Sequence, residues 1–283
     1  MKVALYPNFQ KKNALECAKR VCGILKEIGF QVAVTRQFEA EFPGGVIFEE
    51  IEVSAHSSEF VIAIGGDGTM LRCAKNLVGY DTKLLGINTG RLGFMASLES
   101  DELEKLVNLR TEDYSVSERM LLRGVLTGGE TAEFCALNDI AIHSGLSKAG
   151  DFAVYSGVSH IGTYRADGVL FSTPTGSTAY ALSAGGPIIE PDLECIEMTL
   201  MCPHTFFSRP MIFQPERLLR VENVSPDDRK DRMYLSVDGD PPIHFGPDAK
   251  LEIRKSSHKI KLVDIGGNTF HESVGSKLMR SIK

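Results

Sequence analysis

The residues best placed to do chemistry lie in one short run, Gly65-Gly66-Asp67-Gly68-Thr69. It directly follows the apolar stretch Phe60-Val61-Ile62-Ala63-Ile64 and opens a segment of helical spacing from Met70 to Leu77. Glycine lets a backbone turn tightly and approach a ligand closely. The first N–H groups of a helix have no partner within it and lie at the positive end of its dipole, so they hold anions such as phosphate. Gly65, Gly66, Gly68 and Thr69 are therefore candidates to cradle phosphate. Asp67 would face the same crevice, outside the carboxyl end of a strand, where open α/β sheets place ligands. A simple helix cap is the alternative role for Asp67. The chain has neither a G-x-G-x-x-G dinucleotide fingerprint nor a G-x-x-x-x-G-K-[ST] P-loop.

Two further segments share this character. Asn88-Thr89-Gly90-Arg91-Leu92-Gly93-Phe94 closes the next strand, so two consecutive strands run into glycine-rich loops at one sheet edge. An ordinary strand-to-helix loop is the competing reading. Gly168-Val169-Leu170-Phe171-Ser172-Thr173-Pro174-Thr175-Gly176-Ser177-Thr178-Ala179-Tyr180 runs from a strand into small and hydroxylated residues, and Ser183, Gly185 and Gly186 follow. Small side chains allow close approach, hydroxyls offer hydrogen bonds, and Tyr180 offers a flat surface for a base or nicotinamide ring. A well-capped helix start accounts for the Ser and Thr residues but not for glycine on both sides. Asn138-Asp139 offers groups for ribose hydroxyls, with an Asx turn as the alternative. Arg165-Ala166-Asp167 reads equally as a surface ion pair, Asp238-Gly239 as a turn, and His204 as a packed histidine.

The elements that must position these groups change character along the chain. Val3 to Tyr6, Val32 with Val34, Phe60 to Ile64, and Lys83 to Ile87 read as strands. Between them, Leu15, Ala18, Val21, Cys22, Leu25 and Ile28 recur at helical spacing before Gly29. Ser100 is placed to cap a helix running to about Val107. Strand alternating with helix implies a parallel sheet covered on both faces. After Tyr114 the segments are short, β-rich and broken by turns, with hairpin signals at Thr127-Gly128-Gly129-Glu130 and Ser225-Pro226-Asp227-Asp228. One short helix is expected from Ser177 to Ala184. The tail from Asn268 to Ile282 is helical again, with Phe270, Val274, Leu278 and Ile282 four apart. The expected domains are an α/β domain over residues 1–112, joined by the C-terminal helix over 265–283, and a β-rich, sandwich-like domain over 113–264.

Composition narrows the partners. The 283 residues are 43% hydrophobic, 24% charged and 8% aromatic, which describes a folded globular chain. A net charge of −6 argues against nucleic acid, whose phosphate backbone calls for a basic field. No run of about 18 apolar residues suggests a membrane span, and the N-terminus reads as a first strand rather than a signal peptide. Cys17, Cys22, Cys73, Cys135, Cys195 and Cys202 form no C-x-x-C pair, so reduced thiols in a cytoplasmic protein are expected.

Together the segments resemble the NAD kinase family. The resemblance rests on Gly65 to Thr69, Asn88 to Phe94, Thr173 to Tyr180 with Gly185-Gly186-Pro187, Pro203-His204-Thr205 with Ser208-Arg209-Pro210, and Asp238-Gly239, in the family's order. It implies an α/β N-terminal domain with a parallel sheet, a β-rich C-terminal domain, and a C-terminal helix returning to the first. It implies transfer of the γ-phosphoryl of ATP to the 2′-hydroxyl of the adenosine ribose of NAD, with a divalent cation, magnesium by preference, and a homodimer or homotetramer. Asp67 matches the family's catalytic aspartate. The resemblance assigns Gly68, Phe94, Asn138, Asp139, Arg165, Asp167, Thr178, Ala179, Tyr180 and Ser183 to NAD, and it assigns no metal ligand. Asp139 stands where the family usually has glutamate, one methylene longer, and Ala166 where glycine often stands. The rival readings are a lipid kinase of the diacylglycerol or sphingosine type, which shares the first motif, and a non-catalytic NAD-binding regulator.

Overall fold

The structure is a computed structural model that describes residues 1–279 except 9, 11–12, 43, 91–92, 130, 146–147, 206–207, 227–232 and 268–269. Arg91, Leu92, Glu130, Asp227, Asp228 and Ile282, singled out from the sequence, lie outside the described residues, as does the side chain of Leu278. The chain divides into two compact units, Met1–Glu118 with Ile260–Lys283, and Arg119–Lys259.

In the first unit, β1 (Lys2–Pro7), α1 (Ala14–Glu27), β2 (Gln31–Thr35), β3 (Ile47–Glu49), α2 (Ile51–Ser57), β4 (Phe60–Gly65), α3 (Asp67–Lys75) and β5 (Lys83–Asn88) follow one another. The strands pair in parallel in the order β3-β2-β1-β4-β5. Phe60, Val61, Ile62 and Ile64 are all fully buried, as a central parallel strand covered on both faces requires. Gly29, at φ +88°, ends the first helix. Progress along the chain reverses direction between β1 and β4, so the two neighbouring carboxyl ends, Asn8 and Gly65–Asp67, flank the switch point of the sheet.

The short strand β6 (Leu98–Glu99) lies parallel to β5. The turn after it departs from the sequence reading. Leu103–Val107 is a 3-10 helix, followed by α4 (Asn108–Thr111), and the residue in the cap position is Glu102 rather than Ser100. Ser100 stands two residues too early to reach the first free N–H groups.

The second unit is antiparallel. It contains most of β7 (Ser115–Thr127), then β8 (Ala132–Ala136), β9 (Asp139–His143), β10 (Gly150–Ser156), β11 (Ser159–Ala166) and β12 (Gly168–Ser172). A 3-10 turn over Gly176–Thr178 leads to α5 (Tyr180–Ser183), β13 (Ile196–Met201), β14 (Met211–Phe213), β15 (Leu219–Asn223), β16 (Met233–Val237), β17 (Ile243–Phe245) and the start of β18 (Lys250–Asp264). One sheet runs β14-β13-β12-β9-β16-β17 and the other β11-β10-β15-β18 with β7 and β8. Phe152, Phe171, Leu235 and Phe245 fill the main core of this unit. A second, small cluster of Ala141, Leu170, Ala181 and Met201 packs α5 onto its sheet. The final residues of β18 add Lys261 and Leu262 to β5 in the first unit, where α6 (Phe270–Met279) also belongs.

Candidate functional site

Candidate site residues occur in both units. In the first, β4 ends at Gly65 and α3 starts at Asp67, with a single residue between them. Gly66 occupies the cap position with extended backbone, so Asp67 is already inside the helix and does not cap it. Its carboxylate instead accepts two backbone hydrogen bonds from the next loop, from Phe94 N–H at 2.7 Å and from Met95 N–H at 3.1 Å. A methyl at Gly93 would lie 2.1 Å from Asp67 Oδ1, so glycine is what lets the loop close on the carboxylate. Asp67 is thus held by both oxygens, half-buried, with Gly68 exposed beside it.

Neighbouring polar groups hold the two loops. The backbone N–H of Thr89 donates to Gly65 O at 3.0 Å. The Asn88 amide donates to Glu99 at 2.9 Å and accepts from Gly90 N–H at 3.2 Å. Thr69 is buried, its side chain filling space that any side chain on Gly65 would occupy, at 2.2 Å. Its hydroxyl accepts from the Asn8 amide at 3.2 Å and its N–H donates to Gly66 O at 2.8 Å, so Thr69 braces the glycine turn from below.

In the second unit, Asp238 organises the site. Its carboxylate accepts from three successive backbone N–H groups, Leu137 and Asn138 at 2.8 Å and Asp139 at 3.0 Å. It adopts φ +49°, a conformation an acidic or amide side chain tolerates better than most, and Gly239 follows at φ +73°. Taken alone, Asp238-Gly239 reads in sequence as a turn, and the family resemblance that includes it gives it no role. Its function as a clamp depends on residues about a hundred positions away, which no local pattern displays. The clamp presents Asn138 and Asp139 from a buried backbone. The Asn138 side-chain oxygen is buried without a hydrogen-bond partner among the described residues. Burial without donors, and then the neighbouring Asp238, push the Asp139 carboxyl up to about 7.

The third motif lies alongside. Thr173 bridges to the same segment through its N–H to Asn138 O at 2.9 Å and its hydroxyl to Leu137 O at 2.5 Å. Gly176 sits so close to Asn138 that a methyl there would lie 2.1 Å from its carbonyl oxygen. Beyond it Thr178 and Ala179 are half-buried, while Tyr180 and Ser183 are exposed. The Tyr180 ring stacks on His143, with centroids 5.9 Å apart and planes 20° from parallel. Burial pushes the His143 imidazole below its ordinary pKa.

Arg165 and Asp167 occupy different environments. The Arg165 guanidinium grips Asp151 through two bonds of 2.7 and 3.0 Å. Asp167 is exposed and lines a cavity of about 500 Å³ with His143, Ser144, Lys148 and His204. His204 is thus a cavity residue, fixed by its N–H to Arg165 O at 2.8 Å. Among the described residues no group of three or more His, Cys, Asp or Glu side chains is arranged to hold a metal ion. The six cysteines are free, and four of them are buried.

The first unit offers a glycine-rich helix start with an oriented carboxylate, and the second offers a buried amide oxygen without a partner among the described residues and an exposed aromatic ring; each of these suits part of a phosphoryl transfer to a nucleotide. Comparison with known proteins agrees. Residues 3–113 match the ATP-NAD kinase N-terminal domain and residues 137–265 the ATP-NAD kinase C-terminal domain. An NAD kinase of Moorella thermoacetica is 35% identical over 98% of this chain and 89% of its own length. One from Caldanaerobacter subterraneus subsp. tengcongensis is 34% identical over 98% of both. Among solved structures, an NAD kinase from Archaeoglobus fulgidus in complex with ATP aligns with a TM-score of 0.75 at 26% identity over the full length of both chains. Yeast NADH kinase complexed with NADH shares the fold, with a TM-score of 0.88 at 22% identity over 99% of this chain and 87% of its own. The chain therefore belongs to the NAD kinase family, and its activity is the ATP-dependent phosphorylation of NAD to NADP.

Proposed function

We propose that Asp67 is the catalytic group of a transfer that moves the γ-phosphoryl of ATP onto the 2′-hydroxyl of the adenosine ribose of NAD. Phosphoryl transfer asks the protein to align the hydroxyl with the phosphorus and to offset charge on the transferring group. The carboxylate of Asp67, fixed by Phe94 and Met95, is oriented to accept or direct the hydroxyl proton. Gly65, Gly66 and Gly68 allow the triphosphate to approach the start of α3, with Thr69 behind them. A magnesium ion carried by the triphosphate would neutralise phosphate charge, and one carboxylate plus phosphate oxygens suits magnesium without a protein-built cage.

NAD is received by Gly68 and Phe94 in the first unit and by Asn138, Asp139, Thr178, Ala179, Tyr180 and Ser183 in the second. The observation that carries this reading is the buried Asn138 side-chain oxygen, without a partner among the described residues, next to the buried Asp139 carboxyl, whose charge is felt by the exposed Tyr180 ring. A ribose supplies hydroxyl donors and an adenine supplies a flat face, and together they answer both. Arg165 and Asp167 serve the nicotinamide end, in part from a neighbouring copy of the chain, in a cytoplasmic homodimer or homotetramer. The described helices include none long and apolar enough to cross a membrane.

The test is direct. Pure protein is incubated with ATP, magnesium and NAD, and the product is coupled to an NADP-specific dehydrogenase. A signal that disappears in Asp67→Asn supports the assignment. Silence with tight NAD binding supports a regulator, and phosphorylation of a diacylglycerol or sphingosine in place of NAD supports a lipid kinase.

A further inference from the structure

Beneath the Thr173–Ser183 segment lies a carboxyl that the reaction does not use. Glu197 is fully buried in β13. Its Oε2 accepts from the Ser172 hydroxyl at 3.0 Å and its Oε1 from the Thr199 hydroxyl at 2.7 Å, and both partners are themselves buried. Oε1 also lies against Gly186, where a methyl would come within 1.9 Å of it. Ser172 is the last residue of β12, immediately before the motif. Gly186 closes the turn after α5 and is tied to it by its N–H to Ala181 O at 2.9 Å. One carboxyl thus touches both ends of the thirteen-residue stretch 173–185 that carries Thr178, Ala179, Tyr180 and Ser183.

Sheet register adds a second relation. Ser172 pairs with Glu197 on one side and with Asp139 on the other. Asp139, Ser172 and Glu197 therefore form one row across three adjacent strands, all on the face that carries α5. An aliphatic residue would fill the Glu197 site without the cost of burying an acid, since an interior carboxyl adds stability only when its partners compensate for lost hydration. Desolvation indeed raises the Glu197 carboxyl above its ordinary pKa, against the two hydroxyls, which lower it. What the carboxyl provides that an aliphatic group cannot is directional attachment to Ser172 and Thr199 with a fixed, close seat for the Gly186 turn.

We propose that Glu197 is a positioning residue for nucleotide binding. It pins the two ends of the Thr173–Gly185 stretch to the sheet, so that affinity for NAD, rather than the phosphoryl-transfer step or the affinity for ATP, depends on it. This rests on the reading that the stretch receives the adenosine half of NAD.

The test compares Glu197→Gln, Glu197→Leu, Ser172→Ala and Tyr180→Ala in the full chain, with kcat, KM for NAD, KM for ATP and thermal midpoint measured for each. Gln keeps the size and an acceptor, so Glu197→Gln should stay within about threefold of the parent in KM for NAD. Glu197→Leu should raise KM for NAD by about tenfold, with kcat and KM for ATP within about twofold. Should Glu197→Leu fail to fold, Ser172→Ala carries the test, with about a threefold rise in KM for NAD expected. A lower thermal midpoint with KM for NAD unmoved in Glu197→Leu or Ser172→Ala overturns the proposal, because the carboxyl then serves stability alone. So does an equal loss in kcat and both KM values. Tyr180→Ala separates the two ideas. If it raises KM for NAD while Glu197→Leu does not, the nucleotide seat stands and the role of Glu197 falls. If Tyr180→Ala also leaves KM for NAD unchanged, the underlying seat is misassigned.

Discussion

Phe94 donates its backbone N–H to the carboxylate of Asp67 at 2.7 Å, and the residue between this loop and that carboxylate is a glycine because nothing larger fits. Two loops at the ends of adjacent strands are thereby locked to each other through the acid proposed as the catalytic group. Asp67→Asn keeps the size but exchanges one acceptor oxygen for a donor, and it should lower kcat by roughly 10²–10⁴-fold while NAD affinity stays near the parent value. Gly93→Ala leaves Asp67 in the sequence but forces its carboxylate aside, so kcat should fall at least about tenfold. Steady-state kinetics on both variants check this. Asp67→Asn keeping more than about a third of parental kcat would contradict general-base or proton-directing work by this residue.

Asp139 gives the site a pH dependence of defined sign. Its carboxyl titrates near 7 in the folded chain against an ordinary 3.8, chiefly through burial, with Asp238 adding to it and Tyr180 close by. The folded state therefore binds a proton more tightly than the unfolded one, and this contribution to stability is full below the ordinary value and is lost as pH rises through about 7. Binding should follow the opposite trend, because the ionised carboxylate is the stronger acceptor for ribose hydroxyls. KM for NAD should fall as pH rises from about 6 to about 8, while the ligand-free thermal midpoint should fall as pH rises from about 4 to about 7 and level off above that. Asp139→Asn should flatten both profiles, and Asp139→Ala should raise KM for NAD about tenfold. Unchanged profiles in Asp139→Asn would assign the titration to another group.

Asp238 is expected to matter to both fold and affinity. Asp238→Ala would strand the N–H groups of Leu137, Asn138 and Asp139 and place alanine at positive φ. A loss of about 2–4 kcal/mol in denaturant unfolding is expected, together with a raised KM for NAD. Asp238→Asn tolerates the same backbone conformation and keeps one acceptor oxygen, so it should lose less than half as much. Equal losses in the two variants would mean that backbone strain, not the clamp, is what Asp238 relieves.

Assembly is the fourth expectation. If a neighbouring copy supplies part of the nicotinamide end through Arg165 and Asp167, activity per chain should fall on dilution as the oligomer dissociates. Sedimentation showing a fully active monomer at assay concentration would refute it.

These residues also show which parts of the site were legible beforehand. The parallel strand Phe60–Ile64 and the glycine turn after it are local, continuous signals, and the structure places them as read. Ile47–Glu49 and Ile51–Ser57 were missed because a three-residue strand and a seven-residue helix are too short to establish a period. Asp67 is legible as an acid in a glycine-rich turn between a strand and a helix. Its partners Phe94 and Met95 are not, since the bond joins two loops through backbone atoms that carry no side-chain signature. Glu197 carries no motif that singles it out in the sequence. Its interior place follows from partners distant in sequence, Ser172 across the sheet and the bare Cα of Gly186.

The path of the chain between its two units has a consequence for biosynthesis. Unit 2, Arg119–Lys259, is interposed within unit 1, and the strand that reaches β5 through Lys261 and Leu262 emerges only after all of unit 2 has been made. Val263 and Ile265, which complete the apolar core of unit 1, arrive later still. On the ribosome the α/β unit therefore waits, with the first residues of β5 an open parallel edge, while the β-rich unit acquires its whole sequence first. A nascent chain arrested near Lys259 would present that unpaired edge to its neighbours, the exposure that favours aggregation and chaperone capture.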